Sequence, residues 1–235
     1  MDKAQPLVIF DCDGVLVDSE PLSVKVLVEQ LNRKGVAIDE AQAYARFLGR
    51  SLSTVAQILH DDYDHSIDAV FLEDLRHQLY DRFRRELQPV SGIADALDEL
   101  KCPRCVASSS QPERIRLSLS LTGLLDRFEP HIFSASMVSR GKPEPDLFLH
   151  AARVMGTEPS ACIVIEDSPA GIEAAKRAGM AVFAFIGGSH AGAPGYRDRV
   201  FELAPDVVFD AMPDLRHLVR KHMEGPAGHS SQRAV

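Results

Sequence analysis

The chain reads as an α/β protein, a doubly wound parallel sheet with a small helical domain inserted after the first strand. Three observations predict this. Short apolar runs of strand length recur at 7–10, 105–108, 131–135, 162–166, 181–185 and 206–209. Helix-like amphipathic segments separate most of them, at 91–101, 112–122, 145–155, 169–178 and 213–222, and such alternation implies parallel pairing. Residues 17–88 break the alternation with helical patterns and no convincing strand, which reads as a second, smaller unit.

The first run, Leu7-Val8-Ile9-Phe10, leads straight into Asp11-Cys12-Asp13-Gly14. Two carboxylates crowded at a strand's end cost repulsion and desolvation unless a cation or a reaction uses them. Helical spacing then appears in Leu22, Val26, Leu27 and Leu31, and again in Val70, Phe71, Leu75 and Leu79. The turn residues Pro89-Val90-Ser91-Gly92 return the chain to the core. The run CVAS delivers Ser108, followed by Ser109 and Ser110, and the loop beyond the third run carries Lys142. The fourth run, CIVIED, delivers Glu166 and Asp167. It opens a well-marked helix with Ser168 as N-cap, Pro169 in the first turn and Gly179 past the end. The expected division is a core of residues 1–16 and 89–222, a helical insert of 17–88 and a disordered tail of 223–235.

At 235 residues and 45% apolar composition, the chain is long enough to bury a sizeable core. Its net charge of −8 argues against a nucleic-acid surface and fits the handling of small ligands. No apolar run reaches the length of a membrane span, and MDKAQP is too short and polar for a signal peptide. The expectation is a cytoplasmic protein with no membrane partner, a monomer or weak homodimer. The pair Cys102 and Cys105 lacks a second ligand pair and reads, like Cys12 and Cys162, as packing; no disulfide framework is implied.

Ligands bind at the carboxyl ends of strands in open α/β sheets. That rule points Asp11, Asp13, Ser108, Lys142, Glu166 and Asp167 at one rim. An excess of carboxylates with one lysine and a hydroxyl suits a hard divalent cation plus a phosphate. Each group alone has a plainer reading: a turn aspartate, a helix-capping serine, a solvated lysine, or acids placed for a helix dipole. Their joint occurrence, in order and each at a strand end, favours a phosphotransfer site.

DCDGVLVDSE, the strand-end Ser108, Lys142 in GKPEPD and Glu166-Asp167 in IEDSPAG resemble the four motifs of the haloacid-dehalogenase-like (HAD) hydrolase superfamily. The likeness covers residues 6–220 and is strongest to the sugar-phosphatase and beta-phosphoglucomutase branch. It implies a Rossmann-like HAD core and an alpha-helical cap. Asp11 would be the nucleophile, forming an aspartyl-phosphate, and Asp13 the general acid and then base. The resemblance implies Mg²⁺ held by the Asp11 carboxylate, the Asp13 main-chain carbonyl and Asp167, with Glu166 assisting directly or through water. Ser108 would bind phosphoryl oxygens, and Lys142 would neutralise charge on nucleophile and phosphate.

The substrate would be a small phosphorylated metabolite, with selectivity set by Glu20, Gly49, Arg50, Ser109, Ser110 and Gln111. The cap would swing on linkers near residues 15–20 and 86–91, with Gly14 and Gly92 at the hinges. Two departures from the mutase pattern favour water as the acceptor: Ser23 stands where mutases place a cap-side histidine, and Gln111 where they carry a lysine. A mutase remains the nearer alternative. A non-catalytic sensor is the alternative of another class, although such proteins usually lose a catalytic carboxylate and none is missing. A true dehalogenase would lack Asp13.

Overall fold

The first apolar run forms β1 (Leu7–Phe10), and its four residues are all buried. In the computed structural model, which describes residues 5–47 and 52–224, β1 lies at the centre of a six-stranded parallel sheet. Its partners are β2 (Arg104–Ser108), β3 (Ile132–Ser134), β4 (Cys162–Glu166), β5 (Ala181–Phe185) and β6 (Val207–Phe209), in the order β3-β2-β1-β4-β5-β6. In register, Ile9 faces Cys105 on one side and Val164 on the other. The strand order reverses direction on either side of β1, which is where such sheets open a crevice.

Successive strand residues point to opposite faces, so each strand feeds two cores. Val8, Phe10, Ile163 and Phe183 join one cluster with helices later in the chain; Leu7, Ile9, Val164 and Val182 join the other. Four helices of the insert come first: α1 (Glu20–Arg33), α2 (Glu40–Phe47), α3 (Leu52–Tyr63) and α4 (Ala69–Glu86). The core helices are α5 (Ile93–Glu99), α6 (Pro112–Leu121), α7 (Asp146–Val154), α8 (Pro169–Arg177), α9 (Tyr196–Glu202) and α10 (Leu215–Glu224). Helices α5, α6 and α10 cover the first face through Leu97, Ile115 and Val219; α7, α8 and α9 cover the second through Phe148, Ile172 and Val200.

All six predicted strands and five predicted core helices are present, with ends displaced by a few residues at most. Helix α9 is the addition. It has only seven residues and two buried side chains, Tyr196 and Val200, too little periodicity to stand out in the sequence. At the other end of the chain α10 runs through Glu224, two residues into the segment expected as tail; the rest of that segment lies outside the described residues.

The insert has a cluster of its own, with Val28, Leu31, Phe47, Leu59 and Phe71 among its members. Asp68 caps α4 by accepting from the Phe71 N–H at 2.7 Å. Other residues of the insert, Val26, Leu79 and Phe83, pack into the core beside β1. The chain leaves and returns as a narrow ribbon. Asp18 N–H donates to the Gln88 carbonyl at 3.0 Å, and Val90 N–H donates to the Leu16 carbonyl at 3.0 Å. All four cysteines are buried and free, as the packing reading expects. Among the described residues, no helix is long and apolar enough to cross a membrane.

Candidate active site

At the end of β1 the Asp11 N–H still donates to Ile165 of β4, so the carboxylate is fixed at the crevice mouth. Lys142, from the loop after β3, reaches the same point with a side chain only 4% exposed. Its three donors are all engaged: Asp11 Oδ1 at 2.6 Å, Glu166 Oε1 at 2.6 Å and the Ala107 carbonyl at 3.1 Å. Its ammonium also stands 4.9 Å from the Phe148 ring centre. Burial alone would lower the lysine pKa, but Asp11 and Glu166 raise it, so the ammonium is held charged. Asp11 is itself pushed up. Burial is the largest cause, and the Glu166, Asp167 and Asp13 charges add to it against a lysine already shared.

Glu166 is fully buried, and its second oxygen accepts from Asp167 N–H, Ser168 N–H and Ser168 Oγ at 2.9, 2.8 and 3.0 Å. Both oxygens are therefore occupied, one by lysine and one by the start of α8. Gly171 makes room for this. A Cβ there would lie 1.7 Å from Glu166 Oε1.

Asp13 is gripped from three directions. Ser19 Oγ and Arg114 Nη2 donate to Oδ1 at 2.6 and 2.8 Å, and Ser110 Oγ donates to Oδ2 at 2.6 Å. Burial works to raise the Asp13 pKa, but the Arg114 charge and the two hydroxyl hydrogen bonds outweigh it and lower it. Ser108 Oγ accepts from Ser110 N–H at 3.1 Å, and Ser134 Oγ donates to the Ser110 carbonyl at 2.7 Å, so the β2 loop is shaped by hydroxyls.

Asp167 completes the rim. Its Oδ2 accepts from His190 Nε2 at 2.8 Å, its carbonyl accepts from the Tyr196 hydroxyl, and burial of the histidine is outweighed so that its pKa is raised. Gly14 has φ of +82°, and a Cβ there would lie 2.1 Å from Asp167 Oδ2. Backbone geometry and space both require glycine at that position.

The donor set fits a hard divalent cation. Asp11 Oδ2 and Asp167 Oδ1 receive no hydrogen bond from the described residues, and both carboxylates are buried. The Asp11 pKa is raised first by burial and then, against Lys142, by the Glu166, Asp167 and Asp13 charges, so negative charge is crowded at this point. Among the described residues, no three His, Cys, Asp or Glu side chains form a metal-binding group by themselves. Carboxylate oxygens are the donors that hard divalent cations prefer.

The structure thus brings Asp11, Asp13, Ser108, Ser110, Lys142, Glu166 and Asp167 together. Ser109 and Gln111 lie at the exposed edge, and Gly49 and Arg50 fall outside the described residues. Glu20, half-buried at the start of α1, is pushed up to about 7 by burial and then by Asp13 and Asp167. The unfolded value is near 4.5, so the folded chain holds that proton longer. Its contribution to stability is present at acid pH and lost as pH rises to about 7. Glu20→Gln is expected to raise the melting temperature at about pH 8 without divalent cation, and not at about pH 4. Equal melting at both values would show that the carboxylate is freely solvated.

Arg114, His190, Tyr196 and Ser19 were not expected from the sequence. Arg114 sits in an amphipathic helix pattern that reads as a solvated face. The IGGSH segment after β5 carries a signal, because the strand-end rule applied to that strand leads to His190.

Fold and rim together define a doubly wound α/β enzyme with a helical insert and an acidic, lysine-bearing site at the strand ends. The family model for haloacid dehalogenase-like hydrolases matches residues 6–179, and the chain belongs to that family. It is 31% identical over 184 residues to the 6-phosphogluconate phosphatase of Escherichia coli K12, covering 78% of this chain and 83% of that protein. It is 32% identical over 177 residues to the fructose-1-phosphate phosphatase YqaB of the same organism, covering 73% and 92%. A crystal structure of a HAD family hydrolase from Deinococcus radiodurans R1, with bound phosphate and sodium, superposes with a TM-score of 0.77 at 30% identity. It covers 96% of this chain and 100% of that one.

Proposed function

We propose that this hydrolase is a Mg²⁺-dependent phosphatase of small phosphorylated metabolites, of the sugar, sugar-alcohol or sugar-acid class. The observation that carries the reading is Asp11 held 2.6 Å from a buried Lys142 beside Asp13 and Asp167. Asp11 attacks phosphorus and carries the phosphoryl group as an aspartyl-phosphate, splitting one hard step into two. Asp13 gives a proton to the leaving alcohol and then takes one from the attacking water. Ser108 and the Ser110 loop orient phosphoryl oxygens, while Lys142 offsets charge on Asp11 and phosphate. Glu166 keeps Lys142 charged and in place, in preference to direct metal ligation, since both its oxygens are engaged. Asp11, the Asp13 carbonyl and Asp167 would hold Mg²⁺, which when bound supplies charge neutralisation and in-line alignment.

Residues 17–88 act as a cap over a core of 1–16 and 89–222, and Glu20 meets the leaving group. The named relatives act on sugar-type phosphates, which supports that substrate class. Phosphate release should be measured over small sugar phosphates, phosphogluconate and phosphoglycolate. Release is expected from at least one sugar-type ester, falling to background in excess EDTA and returning with added Mg²⁺. Full turnover in EDTA would remove the metal from this reading, and conversion of a sugar 1-phosphate to its 6-phosphate without free phosphate would make it a mutase.

A further inference from the structure

Arg114 belongs to the core helix α6 yet touches both halves of the molecule. Its Nη2 donates to Asp13 Oδ1 at 2.8 Å and lies 3.4 Å from Ser23 Oγ of α1. Its guanidinium carbon stands 5.3 Å from the ring centre of Phe83, on α4. Phe83 is 1% exposed, so the surface beneath the guanidinium is a fixed one. A guanidinium is planar, and once its face rests on a ring the direction of its N–H fork is set. The position of α4 therefore decides where Nη2 points, and Nη2 decides how the Asp13 carboxylate is turned.

We propose that Arg114 is a positioning residue that ties the orientation of Asp13 to the placement of the inserted helices. The inference rests on the phosphatase reading above. In the first half-reaction a bond forms between Asp11 and phosphorus while the bond from phosphorus to the leaving oxygen breaks. The electron pair stays on that oxygen, and protonated Asp13 delivers its proton there. The transfer works only if Arg114 and Ser19 keep hold of Oδ1 while the protonated Oδ2, released from Ser110, faces that oxygen. With α1 and α4 seated over the site, Arg114 holds the carboxylate at the edge facing the leaving group; with them displaced, Nη2 and Asp13 turn away together. Arg114 thus restricts proton delivery to the state in which substrate is covered.

The test compares two esters whose need for that proton differs. A sugar phosphate expels an alkoxide and needs it; p-nitrophenyl phosphate expels a stable phenolate and does not. Arg114→Gln is expected to lower kcat on a sugar phosphate by about tenfold to a hundredfold, within the range of general-acid assistance. Its kcat on p-nitrophenyl phosphate should fall by no more than about threefold, with KM for both esters little changed. Phe83→Leu, which keeps the charge and removes the ring, should show the same selective loss in smaller measure. Arg114→Lys should remain impaired on the sugar phosphate, because an ammonium has no planar face for the Phe83 ring to orient. Equal losses on both esters, or full rescue by lysine, would overturn the proposal and leave Arg114 a structural ion pair. A wild-type protein silent on both esters would instead overturn the phosphatase reading itself. Circular dichroism and melting curves of the variants separate misfolding from either result.

Discussion

Asp11→Asn is expected to abolish phosphate release, by about a thousandfold or more, while the protein folds as before. The amide has nearly the same shape and cannot form the acyl phosphate. The fold should tolerate it, because Asp11 is under electrostatic pressure in the native state. Burial and the Glu166, Asp167 and Asp13 charges all push its pKa up, and only Lys142 opposes them. Removing that charge relieves repulsion, and Lys142 keeps Glu166 at 2.6 Å and the Ala107 carbonyl at 3.1 Å. The melting temperature at neutral pH is therefore expected to hold or rise as activity vanishes. Retained wild-type turnover would exclude Asp11 as the nucleophile; lost activity with a collapsed melting transition would point to a structural role.

Lys142→Met has the opposite signature, loss of activity and of stability together. Glu166 is fully buried, and Lys142 is the cation beside it. Without the ammonium, two buried carboxylates face each other uncompensated, which costs about 3–5 kcal/mol in comparable settings. For a chain of this size that corresponds to a fall in melting temperature of roughly 10 °C. The double variant Lys142→Met with Glu166→Gln removes the orphaned charge along with its partner. It should recover much of the stability and none of the activity. If Lys142→Met alone melts like the wild type, the lysine is not what balances these charges. If the double variant regains turnover, Lys142 has no part in the chemistry.

Much of the rim was legible because one rule, reactive groups at the carboxyl ends of buried strands, applies residue by residue. Leu7–Phe10 reads as a strand from composition, and Asp11 and Asp13 follow from their place after it. Ser108 and Glu166-Asp167 follow in the same way. The division of labour among them was not legible. Glu166 sits beside Asp167 in the sequence and reads as a metal neighbour, but only the fold shows Lys142 on one of its oxygens and the α8 start on the other. Arg114 escaped because helical periodicity reports which face is apolar, not which charge the next layer will cover. His190 and Tyr196 escaped for a smaller reason: they follow β5, whose end has no acid to attract notice. Helix α9 is held by Tyr196 and Val200 packing on the sheet, a tertiary cause that local pattern does not register.

The ribbon joining the two halves has a kinetic consequence. Val8 of β1 pairs with Arg104 of β2 across the whole insert, a long loop to close before the central strands can meet. Val17 and Pro89 form an isolated antiparallel bridge where the chain leaves and returns. Once the four local helices have assembled and drawn those positions together, the loop left to close shrinks from roughly a hundred residues to about a quarter of that, lowering its entropic cost by about 1 kcal/mol. Early collapse of the helical segment therefore hastens nucleation of the sheet, and changes that slow the former, such as loss of the Asp68 cap, should delay the latter as well.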